Sequence, residues 1–154
     1  MTDLTVKRVL AAYDALGSGD RSRLLEFWSP DLRFEIPGCH AHAGWYEDLD
    51  AFLGFAATIG RLSGGTYTSE NVTVLVNPEE GYSVDVNVNK ALRANAPAGS
   101  TSPYDRLDIE SLHLLRWRDG RVVEGRWVLI GDALTTSALW WSPRAADGSR
   151  NAVS

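Results

Sequence analysis

The sequence predicts an α+β domain in which a curved antiparallel sheet wraps around helices. Three observations carry this expectation. Helical periodicity is confined to the part before Gly64-Gly65; from Thr66 onward alternating β-branched and aromatic residues take over; and hairpin-like turns join the later segments in sequence. Helices followed by a block of strands belong to α+β rather than to an alternating α/β fold.

Val6, Val9, Leu10, Tyr13 and Leu16 follow the spacing of one helical face, and Gly17-Ser18-Gly19 stops that helix. Asp20 is placed to cap a second, short helix carrying Leu24, Leu25 and Trp28, expected to end at Pro30. Leu32, Phe34 and Ile36 alternate with Arg33 and Glu35, as in a half-buried strand, closed by Pro37-Gly38. Asp48 caps a third helix with Leu49, Phe52, Leu53, Ala56 and Ile59 on one side. Strands are expected near 67–77, 82–92, 105–118 and 121–131, with hairpin connections at Asn77-Pro78-Glu79-Glu80-Gly81 and Arg118-Asp119-Gly120-Arg121. Between them, Ala94 to Pro103 is a long loop of the kind that borders binding sites. Residues 1–142 read as one domain and 143–154 as a flexible tail.

Composition narrows the function classes. A chain of 154 residues suits one domain and one core, burying roughly 70% of its unfolded surface. The net charge of -5, with Lys and Arg scattered, argues against a nucleic-acid partner, which needs a concentrated basic surface. No apolar run approaches the roughly 18 residues of a membrane span, and Met1-Thr2-Asp3-Leu4 lacks the order of a signal peptide, so no membrane partner and a cytoplasmic location are expected. The single Cys39 cannot form an internal disulfide. Six Trp, five Tyr and four Phe require a core, an interface or an apolar cavity to hold them.

Three motifs carry a family resemblance over about residues 4 to 141. Ala15-Leu16-Gly17-Ser18-Gly19-Asp20 looks like a helix-to-helix turn, Trp28-Ser29-Pro30-Asp31-Leu32-Arg33-Phe34 like the approach to a first strand, and Arg116-Trp117-Arg118-Asp119-Gly120-Arg121-Val122-Val123-Glu124 like a last hairpin. Together they resemble the nuclear transport factor 2-like superfamily, and the hairpin with Trp127 and Asp132 is most similar to its SnoaL-like polyketide cyclase branch. The resemblance implies a cone-shaped sheet around three helices with a central pocket, a cystatin-like α+β barrel. It also implies that Ile109, Ser111, His113, Leu115 and Trp117, with Gly125, Trp127 and Leu129, face that pocket. Fold alone does not choose among the superfamily's chemistries.

His113 is the leading candidate for chemistry. It stands where related isomerases keep an oxyanion donor, and an imidazole can hold an enolate oxygen or shuttle a proton near neutral pH. The competing reading is a core histidine satisfied by Ser111 or a backbone carbonyl. Tyr13 either polarises a carbonyl, as the resemblance implies, or caps the core with its hydroxyl at the surface. In Ser83-Val84-Asp85-Val86-Asn87-Val88-Asn89 one face is valine and the other polar; Asp85 is a general base if the polar face lines the cavity and a solvated residue if it does not. Two positions depart from the family. The isomerases' aspartate falls on Ile36, and the last-strand aspartate of cyclases and epoxide hydrolases falls on Trp127, with Asp132 five residues on.

Gly38-Cys39-His40-Ala41-His42-Ala43-Gly44 packs two histidines and the cysteine into one loop. A His-x-His pair with His113 could hold a metal ion, His40 or His42 could serve as a replacement base, and the expectation is a polar rim loop with Trp45 and Tyr46 behind it. The function expected is a cofactor-independent enzyme of the cyclase or isomerase type, acting on an apolar carbonyl-bearing metabolite, with Trp127, Trp117, Phe34 and Phe52 as walls and Trp45, Ile36, Ser111 and Leu129 as further substrate-binding candidates. The alternatives are a non-catalytic binding protein for a hydrophobic small molecule, a dehydratase or epoxide hydrolase of the same fold, and a structural dimer subunit with a filled cone. A homodimer is expected by family analogy, with Val84, Val86 and Val88 on its face.

Overall fold

A computed structural model describes residues 3–142; the expected flexible tail at 143–154 lies outside the described residues. Helices α1 (Val6–Gly17) and α2 (Arg21–Leu25) lead into β1 (Trp28–Ile36) and β2 (Gly44–Tyr46), then α3 (Leu49–Leu62). Strands β3 (Thr68–Asn77), β4 (Tyr82–Leu92), β5 (Arg106–Arg118) and β6 (Arg121–Leu129) follow, and α4 (Ala133–Trp141) ends the described chain.

Side-chain caps start three helices. The Thr5 hydroxyl accepts from Arg8 N, Asp20 from Ser22 N and Arg23 N, and Asp48 from Ala51 N. The face of α1 is rotated from the one its spacing suggested: Val9, Ala12 and Ala15 are buried, whereas Val6 and Leu10 stay exposed. The two alanines let the helix lie close to the sheet, near enough for the Trp28 indole to donate to Ala12 O at 2.9 Å. On α3 Phe55 is buried where Ala56 was expected, and Ala56 is exposed.

The six strands form one curved sheet in the order β2-β1-β6-β5-β4-β3. The α+β class is as expected, with corrections of detail. The sheet is mixed, because β1 pairs with β6 in parallel while every other neighbouring pair is antiparallel. Among the described residues there are four helices rather than three, and β2 is an added strand. Trp28 opens β1 instead of extending α2, and Pro30 lies inside β1 instead of ending a helix. The β1–β6 register shifts between Trp28 and Arg33, an irregularity that tolerates a residue with no N–H to donate. The Ala94–Pro103 loop does not border the cavity; its start packs on the end of α3, where Ala94 N donates to Leu62 O at 2.9 Å.

Inside the sheet the register stacks side chains in rows. Val74, Asp85, His113 and Trp127 form one row across β3, β4, β5 and β6, and Asn71, Asn87, Ser111 and Leu129 form the next. Gly125 has no side chain because Phe34 occupies its place: an added Cβ would come within 2.4 Å of the Phe34 ring. No helix among the described residues is long and apolar enough to cross a membrane.

Candidate active site

Strict alternation on β4 puts one residue class on each face of the sheet, and tertiary structure decides which class goes in. The polar class does. Asp85, Asn87 and Asn89 are fully buried, and Val84, Val86 and Val88 lie on the outer face. Burying three polar side chains is tolerable only if each is satisfied, and here each is. Trp127 Nε1 donates to Ser111 Oγ at 2.7 Å, and the Ser111 hydroxyl donates to Asn87 Oδ1. Asn89 Nδ2 donates to Asn87 Oδ1 at 2.7 Å and to Ser111 Oγ at 2.6 Å, while Tyr67 donates its hydroxyl to Asn89 Oδ1 at 2.7 Å.

With its oxygen occupied as an acceptor, Asn87 turns its amide toward Asp85 and donates to Oδ2 at 3.0 Å. The Tyr13 hydroxyl donates to Oδ1 from the other side. His113 Nδ1 completes the set, 3.0 Å from Oδ2. Three donors thus converge on one carboxyl group, an arrangement suited to the carboxylate. A lone pair on Nδ1 facing that oxygen would be repelled, so the proton belongs on Nδ1, and the Tyr13 oxygen at 3.1 Å can share it. Nε2, on the opposite edge of the ring, is then the basic nitrogen, and it has no hydrogen-bond partner among the described residues. Burial first, then the charge of Asp85 and the bond to it, push the Tyr13 hydroxyl well above its ordinary pKa, so the phenol remains a donor.

Above this group lies a cavity of about 410 Å³, which His113 and Trp127 help to line. The walls from β1 and α3 are apolar: Trp28, Phe34 and Ile36 from β1, with Phe52, Phe55 and Ile59 from α3. Phe34 and Phe52 stack with ring centroids 4.2 Å apart, which fixes the wall opposite the imidazole. The cone is therefore hollow, not filled by its tryptophans.

Of the expected residues, Tyr13, Asp85 and His113 come together, and Trp127, Phe34, Phe52 and Ile36 line the cavity. The bland readings of Tyr13 and of the polar row are overturned, since the hydroxyl is bonded inside and the row is buried. Other expectations need correction. Trp117 lies away from the cavity with its indole bonded to Ser83 Oγ at 2.8 Å. Trp45 packs under the guanidinium groups of Arg33 and Arg126, at 4.5 and 5.1 Å. Ser111 is sealed behind the wall as a hydrogen-bonding post, and Leu129 packs on the core without reaching the cavity. Asp132 is exposed at the start of α4.

The 38–44 loop is not the cavity rim. His40 is buried and stacks on Trp141 of α4, with ring centroids 4.8 Å apart, and His42 leans on the same indole at 5.2 Å. Neither is among the cavity-lining residues, so neither is placed to replace a carboxylate base there. Burial lowers the pKa of His40 to about 4 and lowers that of His42 as well. Among the described residues no three His, Cys, Asp or Glu side chains gather as metal ligands. Sequence reasoning missed Tyr67, whose only signal was its position two residues before Ser69 at the start of a strand.

The model of the SnoaL-like domain family matches residues 9–125. Among solved structures, Bal32a from a soil-derived mobile gene cassette is 24% identical with a TM-score of 0.72, over 88% of this chain and 94% of that one. IdmH from Streptomyces antibioticus, a proposed polyketide cyclase, is 20% identical with a TM-score of 0.63, over 83% of this chain and 93% of its own. A proposed SnoaL-like polyketide cyclase from Jannaschia sp. CCS1 is 18% identical with a TM-score of 0.65, over 93% of this chain and 99% of that one. At these identities the likeness is one of fold. No curated protein matches the sequence.

Proposed function

This chain belongs to the SnoaL-like domain family, and we propose that it is a cofactor-independent enzyme of the cyclase or isomerase type that takes an apolar, carbonyl-bearing small molecule. The observation that carries the reading is the Asp85–His113 pair at the floor of an aromatic cavity, with Nδ1 held 3.0 Å from the carboxylate and Nε2 left free.

In the reaction proposed, His113 Nε2 removes a proton from the carbon next to the carbonyl: the C–H bond breaks, an N–H bond forms, and the electron pair moves to the carbonyl oxygen as an enolate. Asp85 stabilises the imidazolium through Nδ1–H, as a buried carboxylate does for a base histidine. Nε2–H then returns the proton. If it goes to a different carbon, a double bond has migrated; if the enolate carbon first attacks a second carbonyl of the same molecule, the new alkoxide takes the proton and a ring has closed. Both outcomes balance without an added oxidant or reductant. Tyr13 is assigned to Asp85 rather than to the substrate carbonyl, because its one proton is already donated.

The test uses a carbon acid that needs no natural substrate. With 2-tetralone in deuterated buffer, wild-type protein should accelerate hydrogen–deuterium exchange next to the carbonyl, followed by proton NMR, and His113→Ala should lose about 10²–10⁴-fold. Exchange that is absent, or that survives in His113→Ala, would leave the non-catalytic binding protein as the better reading.

The homodimer belongs to the same proposal. On the outer face the register aligns Leu75, Val84 and Leu114 with Arg126 in one row and Thr73 with Val86, Leu112 and Val128 in the next. Leu75 is 62% exposed, Val128 40% and nearby Ile130 40%, so this face offers apolar surface to a second copy.

A further inference from the structure

Strand β3 changes which side chains face inward partway along its length. Asn71 pairs with Asn87, whose side chain points in, but Thr73 pairs with Val86, whose side chain points out, and Val72 is the extra residue between them. This is a β-bulge, and Val72 is 65% exposed at its apex. Before the bulge the odd residues Tyr67, Ser69 and Asn71 face the cavity and line it. After it the even residues Val74 and Val76 turn in and pack on the core. One strand thus supplies a polar cavity wall with its first half and a core wall with its second.

Two further facts bear on what that wall meets. No Lys, Arg, Asp or Glu stands among the cavity-lining residues. The nearest fixed charge in the hydrogen-bond network is the Asp85 carboxylate below His113, so an anionic guest would meet repulsion with no Lys or Arg in the lining to offset it. The position of the polar wall is set by register: Asn71 lies in the row of Asn87 and Ser69 in that of Asn89, two and four residues along β4 from Asp85. At a rise of roughly 3.4 Å per residue these are about 7 and 14 Å along the sheet from the His113 row.

We propose that Ser69 and Asn71, brought inward ahead of the Val72 bulge, are a specificity-determining subsite that reads a hydroxyl or carbonyl group at the far end of an uncharged guest. The proposal rests on the reading of this cavity as the substrate site and deepens it: the guest is neutral, and carries a second polar group about 7 Å or more from its reacting carbon.

The probes are three naphthalenes of one ring size, titrated calorimetrically at neutral pH: 2-naphthol, 2,6-dihydroxynaphthalene and 2-naphthoate. 2-Naphthol should bind at least tenfold more tightly than 2-naphthoate. The diol should bind several-fold more tightly than 2-naphthol, and in Ser69→Ala/Asn71→Ala the ratio of the two affinities should fall to about one. Both positions are exposed on an edge strand, and an unchanged thermal midpoint checks the fold. Thr73→Ala, on the same strand beyond the bulge, should keep the diol preference. Naphthoate binding equal to naphthol, a diol advantage that survives the double variant, or one that Thr73→Ala also removes would each overturn the proposal. None of these measurements needs turnover, so loss of the catalytic reading in the tetralone experiment leaves the subsite standing or falling by itself.

Discussion

Asp85 Oδ2 lies 3.0 Å from His113 Nδ1 across neighbouring strands, in a register that places the two residues directly opposite. The carboxylate fixes the proton on Nδ1. Asp85→Asn keeps the shape but offers an amide that can donate, which favours the opposite tautomer, so tetralone exchange should fall by roughly 10²–10⁴-fold. Nitrogen-15 NMR of the His113 ring should show Nε2 unprotonated in the wild type and Nδ1 unprotonated in the variant. An unchanged tautomer would remove Asp85 from its role.

Tyr13→Phe deletes one of the three donors to Asp85 and should cost about 1–3 kcal/mol in chemical denaturation at neutral pH. Its pH dependence has a defined sign. The folded hydroxyl pKa lies well above the ordinary 10.0, so the folded state keeps a proton that the unfolded state loses above that value. The contribution is present below pH 10 and is lost as pH rises past it toward the folded pKa. Alkaline unfolding should therefore be shallower in Tyr13→Phe than in wild type.

Gly125→Ala should damage the wall opposite the imidazole. Its Cβ would stand 2.4 and 2.5 Å from the Phe34 ring and 3.1 Å from Leu115 Cδ2, so Phe34 must leave its stack on Phe52. The expected cost is about 1–3 kcal/mol of stability, with weaker 2-naphthol binding.

His40→Phe keeps a ring on Trp141 and removes a titrating group. The His40 pKa, lowered from 6.5 to about 4, means that the unfolded state takes up a proton that the folded state refuses between those values. Wild-type stability is thus fully present above pH 6.5 and is lost as pH falls toward 4, by up to about 3 kcal/mol. The variant should lose correspondingly less between pH 7 and 4.5 in urea titrations.

The outer-face patch gives a fifth outcome. Val86→Arg adds a charge to the centre of the apolar rows without entering the core, since Val86 points away from the cavity. Wild-type protein should sediment as a dimer at micromolar concentration and the variant as a monomer with unchanged circular dichroism. A wild-type monomer would end the dimer proposal.

The sequence by itself determined the elements whose signal is local. Asp20 and Asp48 cap helices because a short carboxylate reaches free backbone N–H groups a few residues on. The strict alternation of Ser83 to Asn89 made a strand with one polar face, and His113 stood out as an imidazole in an apolar strand. What alternation could not determine was which face turned inward, because a strand with period two is symmetric under that choice. Tertiary structure decided it: Ser111, Trp127, Tyr67, Tyr13 and His113 arrive from other elements with the hydrogen bonds that make a buried Asp85, Asn87 and Asn89 stable. The 38–44 loop shows the reverse. Its two histidines looked like chemistry in one dimension, but α4, a helix with little sequence signature, sets Trp141 against them and makes them packing. Local spacing fixes an element; only partners distant in sequence fix what its side chains face, and it is the facing that makes a site.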